Sequence, residues 1–116
     1  MPLYLQNLKE SIIESYTGIV FGVKDSLDTS VLKPYVPAIY DYIYRLCSTN
    51  AAYEIDFIKS IVGLIGDVSS IFGREYKSYI TQPHISKLIN ILESNPTKDY
   101  QAIANWAKTS INKALK

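Results

Sequence analysis

Residues 55–73 read Ile55-Asp56-Phe57-Ile58-Lys59-Ser60-Ile61-Val62-Gly63-Leu64-Ile65-Gly66-Asp67-Val68-Ser69-Ser70-Ile71-Phe72-Gly73. At helical pitch Phe57, Ile61, Leu64, Ile65, Val68 and Phe72 form one apolar stripe. Asp56, Lys59, Ser60, Gly63, Asp67, Ser70 and Arg74 fall on the other side. Glycine inside a helix costs about 1 kcal/mol relative to alanine. Gly63 and Gly66 therefore mark a place where a neighbouring backbone passes close or a ligand lies along a bare face. Gly73 stands where a helix C-cap favours a residue free to take positive φ. The stretch predicts a packed central helix with one side held open.

Working outward, residues 3–24 predict a long amphipathic helix with a stripe of Leu5, Leu8, Ile12, Tyr16, Ile19 and Val23. Asn7, Glu10, Glu14, Thr17 and Phe21 lie opposite, and Gly18 and Gly22 fall mid-helix. Asp25–Ser30 reads as a polar turn. Residues 31–49 predict a second helix whose regular part begins near Pro34–Tyr35, because proline is tolerated only in a first turn. It is apolar nearly all round, as helices covered by several neighbours are. Ser48-Thr49-Asn50 breaks it, and Ala51–Glu54 lead into the central helix. Residues 74–81 read as a short connector. Pro83 opens a helix to about Ser94, with Ile85, Leu88, Ile89 and Leu92 as its stripe. Asn95-Pro96-Thr97 is a boundary, because Asn caps well and Pro suits a first helical position. The last helix, 97–115, packs Tyr100, Ile103, Ala104, Ala107, Ile111 and Ala114, with Trp106 off that stripe. No segment alternates, so the class is all-α.

The totals agree with one folded unit. The chain has 116 residues, 47% hydrophobic and 20% charged, enough apolar content for a core. Its net charge of +1 creates no field that would favour nucleic acid. A single cysteine, Cys47, excludes an internal disulfide framework and fits a reducing compartment. The sequence lacks a signal-peptide layout, and no apolar run approaches the ~18 residues of a membrane span. A soluble intracellular protein is expected. Ten tyrosines point to broad half-buried helix faces.

The helices alternate in character. The first, third and last are long with small residues mid-helix; the second and fourth open with proline. Gly18-Ile19-Val20 recurs as Gly63-Leu64-Ile65, 45 residues on, and Trp106 stands 43 residues beyond Gly63. A helix pair every ~40–47 residues is the HEAT or armadillo period. The reading is an α-solenoid of antiparallel helix pairs spanning 1–116. It comprises an orphan inner helix (3–24), a complete pair (31–73) and a terminal pair (82–115). The uncovered side of helix 3–24 is then expected to drive self-association or leave the piece marginally stable. An ordinary five-helix bundle is the alternative.

Nothing in the chain argues for catalysis. His84 is the only histidine, follows a proline at a helix start, and is expected at the surface or in a cap; a metal site needs a second ligand at suitable spacing. Cys47 sits among apolar residues and reads as an inert thiol. Gly63-x-x-Gly66 follows no strand and has no phosphate-loop lysine. No cofactor or metal is expected. In stacked pairs the second helices line the concave side, which would bring Glu10 and Glu14, Asp56 and Asp67, and Asp99 and Trp106 to one groove. A large aromatic off the core stripe beside acidic residues suits an arginine or lysine side chain. The other reading of Trp106 is a cap packed under the chain terminus.

Leu8-Lys9-Glu10-Ser11 through Tyr16-Thr17-Gly18-Ile19-Val20, the run Val62-Gly63-Leu64-Ile65-Gly66-Asp67, and Ile103-Ala104-Asn105-Trp106-Ala107 together resemble the carboxy-terminal HEAT repeats of the importin-β (karyopherin-β) family. The order and spacing of all three agree from about Leu3 to the C-terminus. The resemblance implies a nuclear import receptor, not an enzyme, found in cytoplasm, nucleus and nuclear pore. It implies a concave face gripping the basic importin-β-binding helix of importin-α, with Trp106 touching that helix. Glu10, Glu14 and Asp67 would complete the groove. Ran-GTP and nucleoporins would engage parts of such a receptor largely outside this segment. The chain departs from the family pattern in holding only about two and a half repeats and in carrying Asn105 where relatives commonly have a basic residue. The rival expectation is a HEAT or armadillo scaffold that binds another protein through tyrosine-rich outer helices, with Tyr40 and Tyr44 as candidates.

Overall fold

In the computed structural model, which describes residues 3–24, 29–48 and 54–115, the quoted stretch forms α3 (Ile55–Phe72). Around it stand α1 (Leu3–Lys24), a 3-10 segment (Thr29–Tyr35), α2 (Val36–Ser48), a 3-10 turn (Gly73–Tyr76), the single-turn α4 (Lys77–Ile80), α5 (Pro83–Glu93) and α6 (Lys98–Ala114). The described residues contain no strand. The architecture is all-α, a helical repeat of the solenoid kind, with extents of 39 × 28 × 23 Å.

Two rows of helices account for this shape. α3 packs against both α1 and α6 in one row, and α5 packs behind α6 and α3. α2 joins the second row through aromatic contacts. Tyr42 meets Tyr16 of α1, Tyr40 stacks on Tyr79 of α4 at 5.3 Å between centroids, and Tyr44 meets His84 of α5 edge-on at 5.2 Å. α6 presents buried Ala104, Ala107, Ser110 and Ala114, and these small side chains let it approach α3 closely. Ser70 on α3 donates to Ser110 across this seam at 3.2 Å.

The reading of α3 matches its structure. Phe57, Ile61, Leu64, Ile65 and Val68 are buried, Phe72 packs on the core, and every residue assigned to the opposite face has solvent contact. Gly73 ends the helix at φ +58°, its N–H bonded to the Ser69 carbonyl. This is the positive φ that glycine adopts at least cost.

α1 matches its expected stripe at Tyr16 and Val23, which pack on the core, and departs from it elsewhere. Ile13 and Val20 are its fully buried residues, whereas Leu8 is 55% and Ile19 43% exposed. The helix carries two apolar ladders seven residues apart, Ile12/Ile19 and Ile13/Val20, so spacing alone cannot say which one faces inward. Packing against α3 and the 3-10 segment, with Tyr16 against Tyr42, selects the second. The side chain of Leu5 lies outside the described residues.

The regular part of the second helix begins at Val36, next to the expected Pro34–Tyr35. Pro34 sits inside the 3-10 segment, and Pro37 occupies the first turn of α2, where a missing N–H leaves no bond unmade. Most of the polar turn at 25–30 and the break from Thr49 to Tyr53 fall outside the described residues.

Candidate functional groove

The open side of α3 faces a groove of about 640 Å³, walled by Glu14, Thr17, Gly18 and Phe21 of α1 and closed at its edge by Ile103 of α6. From α3 come Asp56, Lys59, Ser60, Gly63, Leu64 and Asp67. Their i, i+3, i+4 spacing aligns them along one side of the helix. The walls are mainly apolar and are rimmed by three carboxylates, Glu14, Asp56 and Asp67. Thr17 turns its hydroxyl back onto the Ile13 carbonyl at 2.9 Å, which leaves that part of the wall without a free donor.

Two glycines face this space, Gly18 from α1 and Gly63 from α3. A methyl group added to either meets no atom within 4 Å. Gly66, one turn further along α3, is different. A methyl there would overlap the six-membered ring of Trp106, lying 2.8 Å from Cη2 and 2.9 Å from Cε3. The indole rests on the bare backbone at Gly66 and remains 38% exposed. It borders a second, smaller depression with Ser70, Gly73, Thr109 and Lys113.

The six residues expected to share a groove are thus distributed unevenly. Glu14, Asp56 and Asp67 line it together. Trp106 stands beside α3, next to Asp67 in the Gly66 position, and lines the neighbouring depression. Glu10 is half-buried one turn before Glu14 on α1, and Asp99 is exposed in the first turn of α6; neither lines the groove.

Two residues that sequence reading assigned no site role, Lys59 of the groove wall and Tyr100 of α6, interact with Asp56 or with each other beside the groove. The Tyr100 hydroxyl donates to Asp56, and Lys59 places its ammonium 5.8 Å from the centre of the Tyr100 ring. Hydrogen bonding to Asp56, followed by lesser burial and the charges of Asp56 and Asp99, pushes the Tyr100 phenol above its ordinary value. The signal was available in the spacing: Asp56 and Tyr100 are 44 residues apart, one repeat length, so they occupy equivalent turns of neighbouring inner helices.

On the other layer, Tyr40 is buried and therefore not part of an outer recognition surface, whereas Tyr44 is 54% exposed. Burial pushes the Tyr40 phenol up, with the Ser69 hydroxyl working partly against that. His84, expected at the surface or in a cap, sits in the first turn of α5, half-buried against Tyr44, and burial holds its imidazole below the ordinary value. Cys47 is half-buried and its thiol is pushed up by burial, which suppresses the thiolate. Among the described residues no group of three or more His, Cys, Asp or Glu could hold a metal, and no helix is long and apolar enough to cross a membrane.

Comparison with known proteins adds a family to this geometry. A family model described as importin subunit beta-1-like, TPR repeats, matches residues 1–93. TPR and HEAT units are both antiparallel helix pairs. Importin subunit beta-1 of Arabidopsis thaliana is 29% identical over 116 residues, covering 99% of this chain. Importin subunit beta-1 of Schizosaccharomyces pombe is 26% identical over 115 residues, covering 95% of this chain. The chain spans 13% of the length of each of these relatives. No solved structure matches. The family model ends before α6, so its match does not reach Trp106.

Proposed function

Since this chain belongs to the importin subunit beta-1-like family, we propose that it is a protein-binding segment of a nuclear transport receptor whose inner groove grips a basic helix. The helix proposed is the importin-β-binding segment of importin-α. The observation that carries the reading is the groove between α1 and α3, where Glu14, Asp56 and Asp67 rim an apolar trough with two uncovered glycine positions. A cationic amphipathic helix fits such a trough by setting its apolar face inward and its charges to the rim. Trp106 would meet an arginine or lysine at one margin, a contact worth ~0.5–2 kcal/mol. Glu10 and Asp99 would act only at longer range, steering the approach.

The proposal takes 31–73 and 82–115 as helix pairs and 3–24 as an inner helix. It gives the protein no enzymatic role and places it in cytoplasm, nucleus and nuclear pore. Ran-GTP and nucleoporins would act on surfaces largely beyond these residues. A second copy meeting the exposed Leu8 and Ile19 edge of α1 belongs to the same proposal, and sedimentation over a concentration series measures it.

Because a basic segment of this kind is disordered when free, ordering it consumes part of the interaction energy, and the 116-residue chain should bind weakly. Titration with a peptide of the importin-α amino-terminal segment, at low and high salt, tests the reading. Affinity that falls as salt rises supports it. Equal affinity for a scrambled acidic peptide of the same length refutes it.

A further inference from the structure

Gly18 of α1 and Gly63 of α3 line the same groove, and a methyl group added to either meets no atom within 4 Å. They are 45 residues apart, the repeat spacing that sets equivalent turns of neighbouring inner helices level with each other. The hydrogen bond from Tyr100 to Asp56, across 44 residues, shows that register between α3 and α6. Two glycines in line on one helix would leave a bare stripe for another backbone to lie along. Here one glycine stands on each side of a trough, so the missing side chains leave a hole between the helices.

The surroundings of this hole are apolar. Leu64, Ile103 and Phe21 line the groove, and Phe21 is 66% exposed. The fold itself gains little from a ring so open to solvent. The hydroxyl donors of the groove wall are spent within their own helices: Thr17 donates to the Ile13 carbonyl at 2.9 Å and Ser60 to the Asp56 carbonyl at 3.2 Å. One turn before the glycines, the same spacing sets Glu14 level with Lys59, so opposite formal charges flank the hole. The hole therefore offers contact area, with neither hydroxyl donors nor a net charge.

We propose that the space between Gly18 and Gly63 is an anchor subsite that takes one large apolar side chain, of about leucine size, from the bound helix, as a knob enters a hole in a coiled coil. The inference rests on the groove reading above and assigns the register of the partner. One apolar residue seats at the two glycines, and the basic residues fall to either side of it along the rim. Binding energy is concentrated in that residue.

The probe is a Lys/Arg-rich amphipathic helical peptide with leucines on its apolar face, together with versions in which each leucine in turn is replaced by alanine. One of these versions should bind the wild-type chain about 5–20-fold more weakly than the parent peptide, and the others within about 2-fold of it. Gly63→Leu fills the hole from the α3 side with a good helix former, and should bind the parent and that one version within about 2-fold of each other. Phe21→Ala alters an exposed side chain, so the denaturation midpoint should hold while the parent peptide binds about 2–5-fold more weakly. Equal affinity, or equal loss, across the alanine versions overturns the anchor and leaves the groove reading standing. A Gly63→Leu chain that still discriminates between the two peptides, or a Phe21→Ala chain that binds the parent as wild type does, also overturns it. Failure of the wild-type chain to bind the parent peptide overturns the groove reading, and the anchor falls with it.

Discussion

Gly63 and Gly66 lie three residues apart on one helix, and the sequence gives both the same cost and the same two explanations. The structure separates them. At Gly66 the missing side chain is replaced by Trp106, whose ring occupies the space a Cβ would need. At Gly63 the space is empty, and Gly18 across the groove is equally uncovered. One glycine is thus explained by the fold itself. The others weaken their helices with no internal return, as expected where an outside partner comes close to the backbone.

The largest expected effect is at the filled position. Gly66→Val forces the indole off α3, and overpacking of this kind costs about 1–3 kcal/mol, visible as a lower denaturation midpoint. An unchanged midpoint would mean that the indole does not rest there in solution. Next comes Trp106→Ala. The ring is partly exposed, so the loss should be smaller than the ~3–5 kcal/mol of a fully buried aromatic, about 1–2 kcal/mol. Combining it with Gly66→Val should be clearly less than additive, because the second change removes the clash created by the first. Additive losses would break the assigned contact.

Gly63→Ala carries the opposite sign. Nothing obstructs the methyl, so helix propensity should stabilise the chain by about 0.5–1 kcal/mol while affinity for a basic helical peptide falls. Stabilisation with unchanged binding would remove the reason given for glycine at that position. Gly18→Ala should show the same pair of effects at the smallest size, because Gly18 is exposed on the rim of the trough. A destabilised Gly18→Ala chain, measured by the same denaturation, would mean that the groove wall is already occupied.

How much of this was legible in the sequence differs between helices. α3 was read correctly on both faces because its polar residues, Asp56, Lys59, Ser60, Gly63, Asp67 and Ser70, are unbroken by an apolar one, leaving only one way to bury it. The α1 stripe holds at Tyr16 and Val23 but fails at Leu8 and Ile19, because Ile12-Ile13 and Ile19-Val20 offer two equivalent ladders and only the neighbouring helices choose between them. The positive φ at Gly73 followed from its place after the last apolar turn. Trp106 was identified as off the core stripe, but its seat on Gly66 depends on how closely α6 approaches α3. That distance is set by buried Ala104, Ala107 and Ser110 acting together. The pairing of Asp56 with Tyr100 joins residues whose relation appears only once the repeat spacing is applied to side chains as well as to helices.

The most direct measurement is a map of backbone amide shifts in the 116-residue chain as a basic amphipathic helical peptide is added. The account predicts that the amides of Gly18 and Gly63 move together with those of Glu14 and Asp67, while Tyr44 and Lys87 on the outer layer stay in place. Shifts concentrated on α2 and α5, with Gly18 and Gly63 unmoved, would contradict it.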